Sequence, residues 1–162
     1  MHYFEVLNKQ AMSVRIQEAD FDLGVEITAL RTGRKDIGAI ASFIGLVRDF
    51  NEGDTVTGMH LEHYPVMTEK VLQEIIAQAR SRWKITDALI IHRVGTLLPG
   101  DQIVLVVTAS AHRGEAFAAC QFLMDFLKTQ APFWKKEQTT DANRWVNARE
   151  SDQMATEKWG PP

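Results

Sequence analysis

Apolar and polar residues alternate over residues 12 to 18 (MSVRIQE), the two-residue period of a half-buried strand. A short helix is expected next, from about Asp22 to Leu30, ending near Gly33. Residues 37 to 47, IGAIASFIGLV, are apolar enough for a buried strand, with Arg48 and Asp49 at its exit. The turn Asn51-Glu52-Gly53-Asp54 then returns the chain as a strand over Thr55 to Tyr64, so the two strands are expected to form a hairpin. Pro65 suits the first turn of a helix, and Val71, Leu72, Ile75, Ile76, Ala79 and Trp83 recur at helical spacing behind it.

DALIIHRVGTLL and QIVLVVTASA read as two β-branched strands joined at Pro99-Gly100-Asp101, a central hairpin. A second long helix starts near Ser110 as its N-cap and carries Ala116, Cys120, Leu123 and Leu127 on one stripe until Pro132 stops it. FWKKEQ and RWVNAR read as short edge strands, followed by a polar tail from Glu150. Strands and helices arrive irregularly and hairpins outnumber β-α-β units, which makes the fold class α+β.

Composition narrows the picture. With 162 residues the chain can bury an adequate core as one domain, expected over 1 to 152 with a polar, flexible tail over 153 to 162. Eighteen basic against 21 acidic side chains, a net charge of -3, argue against a general affinity for nucleic acid, and no apolar stretch suits a leader or a membrane span. The expected location is cytoplasmic, and the one cysteine, Cys120, excludes an internal disulfide.

Three places can carry chemistry. Ser110-Ala111-His112-Arg113 opens a helix, where free N–H groups favour an anion and Arg113 adds a bidentate fork; the plainer reading is a solvated first turn. Lys128, Lys135 and Lys136 lie close around Pro132, Phe133 and Trp134, and crowded ammonium groups beside apolar rings are driven toward the neutral form that a base or nucleophile needs. In a strand Lys135 and Lys136 face opposite ways, so one of them at most joins Lys128. Alternatively these lysines only complement a helix dipole and guard a sheet edge. Arg48 leaves a buried strand at a turn, and Arg149 ends the fold; either could be a binding group or a surface arginine. His60 and His63 fall on opposite strand faces, which argues against a zinc site, while His92 and Cys120 read as core. No phosphate-binding glycine loop or nucleophile elbow is present, and neither a metal nor a cofactor is expected.

FIGLVRDFNEGDTV (43 to 56), LEHYPVMTEK (61 to 70), IHRVGTLLPGD (91 to 101), SAHR (110 to 113), DFLKTQAPFWKKE (125 to 137) and RWVNARESD (144 to 152) together resemble the large, catalytic subunit family of molybdopterin synthase. Val66 stands where that pattern has glycine. The resemblance implies an α/β-hammerhead fold and sulfur transfer to cyclic pyranopterin monophosphate (precursor Z), giving the dithiolene of molybdopterin. It implies a small ubiquitin-like partner whose C-terminal Gly-Gly thiocarboxylate supplies the sulfur. Matched position by position, Lys128 and Lys135 correspond to catalytic lysines, and Arg48, His112 and Arg113 to substrate-anion ligands. Lys136 and Glu137 fall in the binding segment, and Arg149 is a further candidate. The competing class is a non-catalytic module that binds a ubiquitin-like tail or a phosphorylated metabolite; a phosphate-ester hydrolase lacks a metal cluster or nucleophile.

Geometry adds one expectation. In a continuous helix, the sixteen residues from His112 to Lys128 span about 24 Å, too far for one small pocket. His112 and Arg113 would then reach the site from a second copy of the chain, making a homodimer with composite sites, with Arg149 also reaching across.

Overall fold

The computed structural model describes residues 13–147 and 149–161; the expected strand start at Met12 lies outside them. Two sheets share the chain. The first runs β1 (Val14–Gln17), β5 (Ile85–Arg93), β7 (Gln102–Ser110) and β2 (Ala39–Leu46) in spatial order, with β1 parallel to β5 and the other pairs antiparallel. Helices cover both of its faces. Val104 and Val106 of β7 pack with Leu72 and Ile75 of α2 (Met67–Arg82) and Leu123 and Leu127 of α3 (Arg113–Gln130). Leu105 and Val107, one residue out of phase, pack toward Leu23, Ile27 and Leu30 of α1 (Leu23–Arg31). Double coverage is why β5 and β7 read as continuous apolar runs rather than alternating ones.

The second sheet holds β3 (Phe50–Asn51), β4 (Asp54–His63), β8 (Phe133–Thr139) and β9 (Asn143–Val146), with β6 (Gly95–Leu97) also on β4. Val47, Met59, Leu61 and Leu97 form its small core. The mixed α+β reading stands, with antiparallel pairing dominant.

Several local expectations are corrected. Residues 39–46 do not form a hairpin with 55–64: β2 aligns with β7 from Ala39↔Ser110 to Leu46↔Gln102, because its alternating Ala41 and Ile40/Ile44 fit the two cores of the first sheet. The turn closes only the β3–β4 stub, with Gly53 at φ 85°. Gly95, also at φ 85°, breaks the expected long strand so that β5 stays in the first sheet while β6 crosses to the second. β8 is internal, flanked by β4 and β9, so only β9 of that pair is an edge strand. Ser110 ends β7; His112 occupies the cap position of α3, and Ser110 Oγ accepts from the His112 N–H at 3.3 Å.

Where the sequence reads as a polar tail, the chain forms α4 (Glu150–Glu157). Its polarity hides one anchor: Trp159 packs edge-on against Trp83 and Phe122 and donates its indole N–H to Asp125 at 2.7 Å. Lys158 pairs with the same carboxylate at 3.2 Å. No helix among the described residues is long and apolar enough to cross a membrane.

Val66, before α2, sits at φ 70° and is 79% exposed. A β-branched residue there carries strain without compensating burial, on the order of 1–3 kcal/mol. Val66→Gly should therefore raise the melting temperature by a few degrees, a net gain of about 1 kcal/mol after glycine's extra unfolded-state entropy. A fall in melting temperature would contradict the assignment of strain.

Candidate active site

A cleft of about 320 Å³ opens between the two sheets and the C-terminal end of α3, and its walls bring Arg48, Lys128, Lys135 and Arg149 together with Glu137 and Asp152. Each arrives from a different local cause. Arg48 follows β2, where the chain leaves the first sheet, and Lys128 occupies the last turn of α3. Lys135 and Glu137, two apart on β8, share the face turned to the cleft. Arg149 caps α4, its own N–H donating to Asp152 at 3.2 Å.

The strand β8 is pinned at its start. Thr68, fully buried at the head of α2, accepts from the Tyr64 N–H at 3.1 Å and donates to the Pro132 carbonyl at 3.2 Å. Phe133 then stacks on His92, ring centroids 3.8 Å apart at 16°. His92 donates from Nδ1 to the Arg93 carbonyl at 2.8 Å, since a carbonyl can only accept. Burial, reinforced by the charges of Lys128, His63 and Lys135, lowers its pKa to about 4, so the ring is neutral near pH 7.

Burial also lowers the pKa of Lys135, and the Lys128 ammonium adds to the effect, followed by Arg149; Glu137 and Asp152 oppose it. Lys128 is exposed to solvent along the cleft wall, whereas Lys135 is half-buried. Loss of hydration is what draws the Lys135 ammonium toward the neutral amine.

Beneath the cations lies a polar network. Glu137, 3% exposed, accepts from Asn51 Nδ2 at 2.8 Å and from Arg144 Nη2 at 3.2 Å. Arg144 also pairs with Asp54 at 2.6 Å and donates to the Asn51 carbonyl at 2.8 Å. Asn51 Oδ1 accepts from Arg48 Nη2 at 3.2 Å and Arg149 Nη2 at 2.5 Å. Sequence reasoning took Asn51 only as a turn residue and passed over Arg144; the sole signal was their presence in the segments NEGD and RWVNARESD. His92 was read as core, which it is, and it also lines the cleft.

Other candidates lie elsewhere. Lys136 faces away from Lys135, its Nζ 5.6 Å from the Trp145 ring centroid. His112 and Arg113 are exposed at the opposite end of α3, a continuous helix, and do not line this cleft in the same chain. Arg149, expected to reach across to a second copy, instead meets Asn51 of its own chain. His60 contacts Thr96 and Glu62 while His63 lies near Glu69, so the two imidazoles are separately engaged. No group of three or more metal-ligating side chains occurs among the described residues. Cys120 is buried against the β7 backbone, and burial pushes its pKa up to about 11, which makes it a poor sulfur relay.

The neutral His92 links the site to stability. Unfolded, the imidazole takes up a proton near 6.5; folded, only near 4. Between those values the unfolded chain binds more protons, so acidification from 6.5 toward 4 should remove up to about 3 kcal/mol. Denaturant melts over that range should show a steeper fall for the parent chain than for His92→Gln; parallel curves would contradict it.

Residues 16–130 match the family model described as MoaE protein. A molybdopterin synthase catalytic subunit from Ralstonia nicotianae is 64% identical over 148 residues, covering 91% of this chain and 84% of that protein. A molybdopterin biosynthesis MoaE protein from Burkholderia ambifaria superposes with a TM-score of 0.80 at 55% identity, covering 93% of this chain and 99% of that one. The molybdopterin synthase structure from Staphylococcus aureus gives a TM-score of 0.75 at 30% identity, covering 86% and 98%. With its site residues set in the same segments that carried the resemblance, the chain belongs to the MoaE family, the catalytic subunits of molybdopterin synthase.

Proposed function

We propose that the cleft transfers sulfur from a thiocarboxylated, ubiquitin-like small subunit to cyclic pyranopterin monophosphate, building the dithiolene of molybdopterin. The observation that carries this reading is the convergence of Lys128, Lys135, Arg48 and Arg149 on one concavity. An anionic heterocycle and an anionic peptide terminus both require such a surface, and fixed cations stabilise charge that moves during the reaction. The sulfur comes from outside the chain: Cys120 is buried within the α3–β7 core, and two sulfurs are needed per product.

In this mechanism Lys128, solvated at the cleft wall, meets the incoming thiocarboxylate and moves protons or stabilises the acyl group as sulfur attacks the pterin side chain. Lys135, less hydrated and flanked by Lys128, assists opening of the cyclic phosphate and departure of the displaced oxygen. Arg48 and Arg149 hold the phosphate. A cytoplasmic location belongs to this reading and rests on the sequence.

The helix geometry supports a homodimer. His112 and Arg113 lie about 24 Å along α3 from Lys128, so as anion ligands they serve the cleft of a second copy. Two small subunits would then bind at opposite ends.

The direct test is incubation with thiocarboxylated small subunit and cyclic pyranopterin monophosphate, with mass analysis of the pterin. The expected product carries two added sulfurs; binding of both partners without turnover would instead favour the non-catalytic module. Lys128→Ala should abolish turnover while small-subunit binding stays measurable, and near-normal activity would remove Lys128 from the mechanism. Hybrid dimers of Arg113→Ala with Lys128→Ala chains should regain part of the activity, because one of their two composite sites is intact. Absence of complementation would contradict the shared site.

A further inference from the structure

Arg48 and Arg149 come from chain segments a hundred residues apart, carry the same charge, and yet converge on a single atom, Asn51 Oδ1, at 3.2 and 2.5 Å. Neither guanidinium reaches that atom by chance of surface packing, for Asn51 is only 6% exposed. We propose that Asn51 is a positioning residue of the anion-binding cleft, its carboxamide holding the two arginines side by side for the substrate phosphate. The inference rests on the reading of the cleft given above and deepens it.

The orientation of the amide is dictated by its neighbours. Guanidinium groups only donate, and the Glu137 carboxylate that receives Asn51 Nδ2 at 2.8 Å serves as an acceptor. The amide nitrogen must therefore face Glu137 and the amide oxygen must face the arginines. Glu137 cannot swing away, because its second oxygen is engaged by Arg144 at 3.2 Å, and Arg144 is itself tied to Asp54 and to the Asn51 carbonyl. A chain of restraints thus runs from Asp54 through Arg144 and Glu137 to Asn51, and ends at the two cations.

The choice of a neutral amide has a consequence for binding. An aspartate in its place would also accept from both arginines, but it would neutralise charge meant for the ligand and would set a carboxylate against Glu137. Asparagine aligns the arginines without quenching them. The negative charge of Glu137 is kept one group further back, where Arg144 answers it. Arg48 and Arg149 retain donors free of Asn51, enough to grip two phosphate oxygens.

Steady-state kinetics of the full chain with its thiocarboxylated small subunit test the assignment. Asn51→Ala should raise KM for cyclic pyranopterin monophosphate about tenfold while kcat stays within about twofold, since the arginines act in binding. Asn51→Asp, which keeps the acceptor but neutralises the arginines, should raise KM in the same direction, and the melting temperature of each variant separates this effect from a folding failure. In a chain already carrying Arg48→Ala and Arg149→Ala, adding Asn51→Ala should change KM by less than about twofold, because the groups it positions are gone. If Arg48→Ala raises KM but Asn51→Ala and Asn51→Asp do not, the positioning role is wrong and the cleft reading survives. An equal effect of Asn51→Ala with and without the arginines would also overturn the role, marking a general structural defect. If Arg48→Ala and Arg149→Ala themselves leave KM unchanged, the phosphate assignment of the cleft falls first.

Discussion

Like charges repel, and the site depends on holding four of them against one another: Arg48, Lys128, Lys135 and Arg149 line a single cleft. Left to solvent, such side chains would spread apart. They stay because each is anchored by a different part of the fold, and because a buried carboxylate, Glu137, lies beneath them within hydrogen bonds of Asn51 and Arg144. The same crowding makes part of the site reactive. Lys135 is desolvated and sits beside Lys128, which moves its ammonium toward the neutral form. An anionic ligand relieves the repulsion, so binding energy is available from charge already assembled.

The two-sheet architecture is what makes that assembly affordable in a chain of this size. The first sheet, covered on both faces by helices, carries most of the apolar core and fixes α3, whose last turn presents Lys128. The second sheet has a core of only a few side chains and presents β8. The seam between the sheets is where Arg48 exits one and Lys135 enters the other. His92, at the end of β5, bridges them by stacking on Phe133 while remaining uncharged, so it adds no further repulsion.

Much of this was legible in the residues themselves. The two long helices follow from their apolar stripes, and the opposition of Lys135 and Lys136 follows from the strand period, which the cleft-facing Lys135 and the Trp145-facing Lys136 respect. Pairing was the harder part. A turn signal at Asn51–Asp54 is real, but it cannot say how far the hairpin extends, and the alternation of Ala41 with Ile40 and Ile44 suits β7 better than β4. The C-terminal segment looked like a tail because helix α4 has no apolar stripe; its attachment depends on Trp159, outside the helix, and on Asp125 in α3. The Asn51 network joins residues 51, 137, 144 and 149, a set whose proximity no local pattern encodes. Resemblance to the family named Lys128, Lys135 and Arg48; Arg149 was a candidate from its place at the end of the fold, and the polar scaffold beneath them required coordinates.

The most direct measurement is a crystal structure of the chain with cyclic pyranopterin monophosphate bound. The account predicts the phosphate between the guanidinium groups of Arg48 and Arg149, the pterin side chain beside Lys135, and Asn51 unmoved beneath. A ligand seated outside this cleft, with Arg48 and Arg149 still turned to Asn51 and no anion between them, would contradict it.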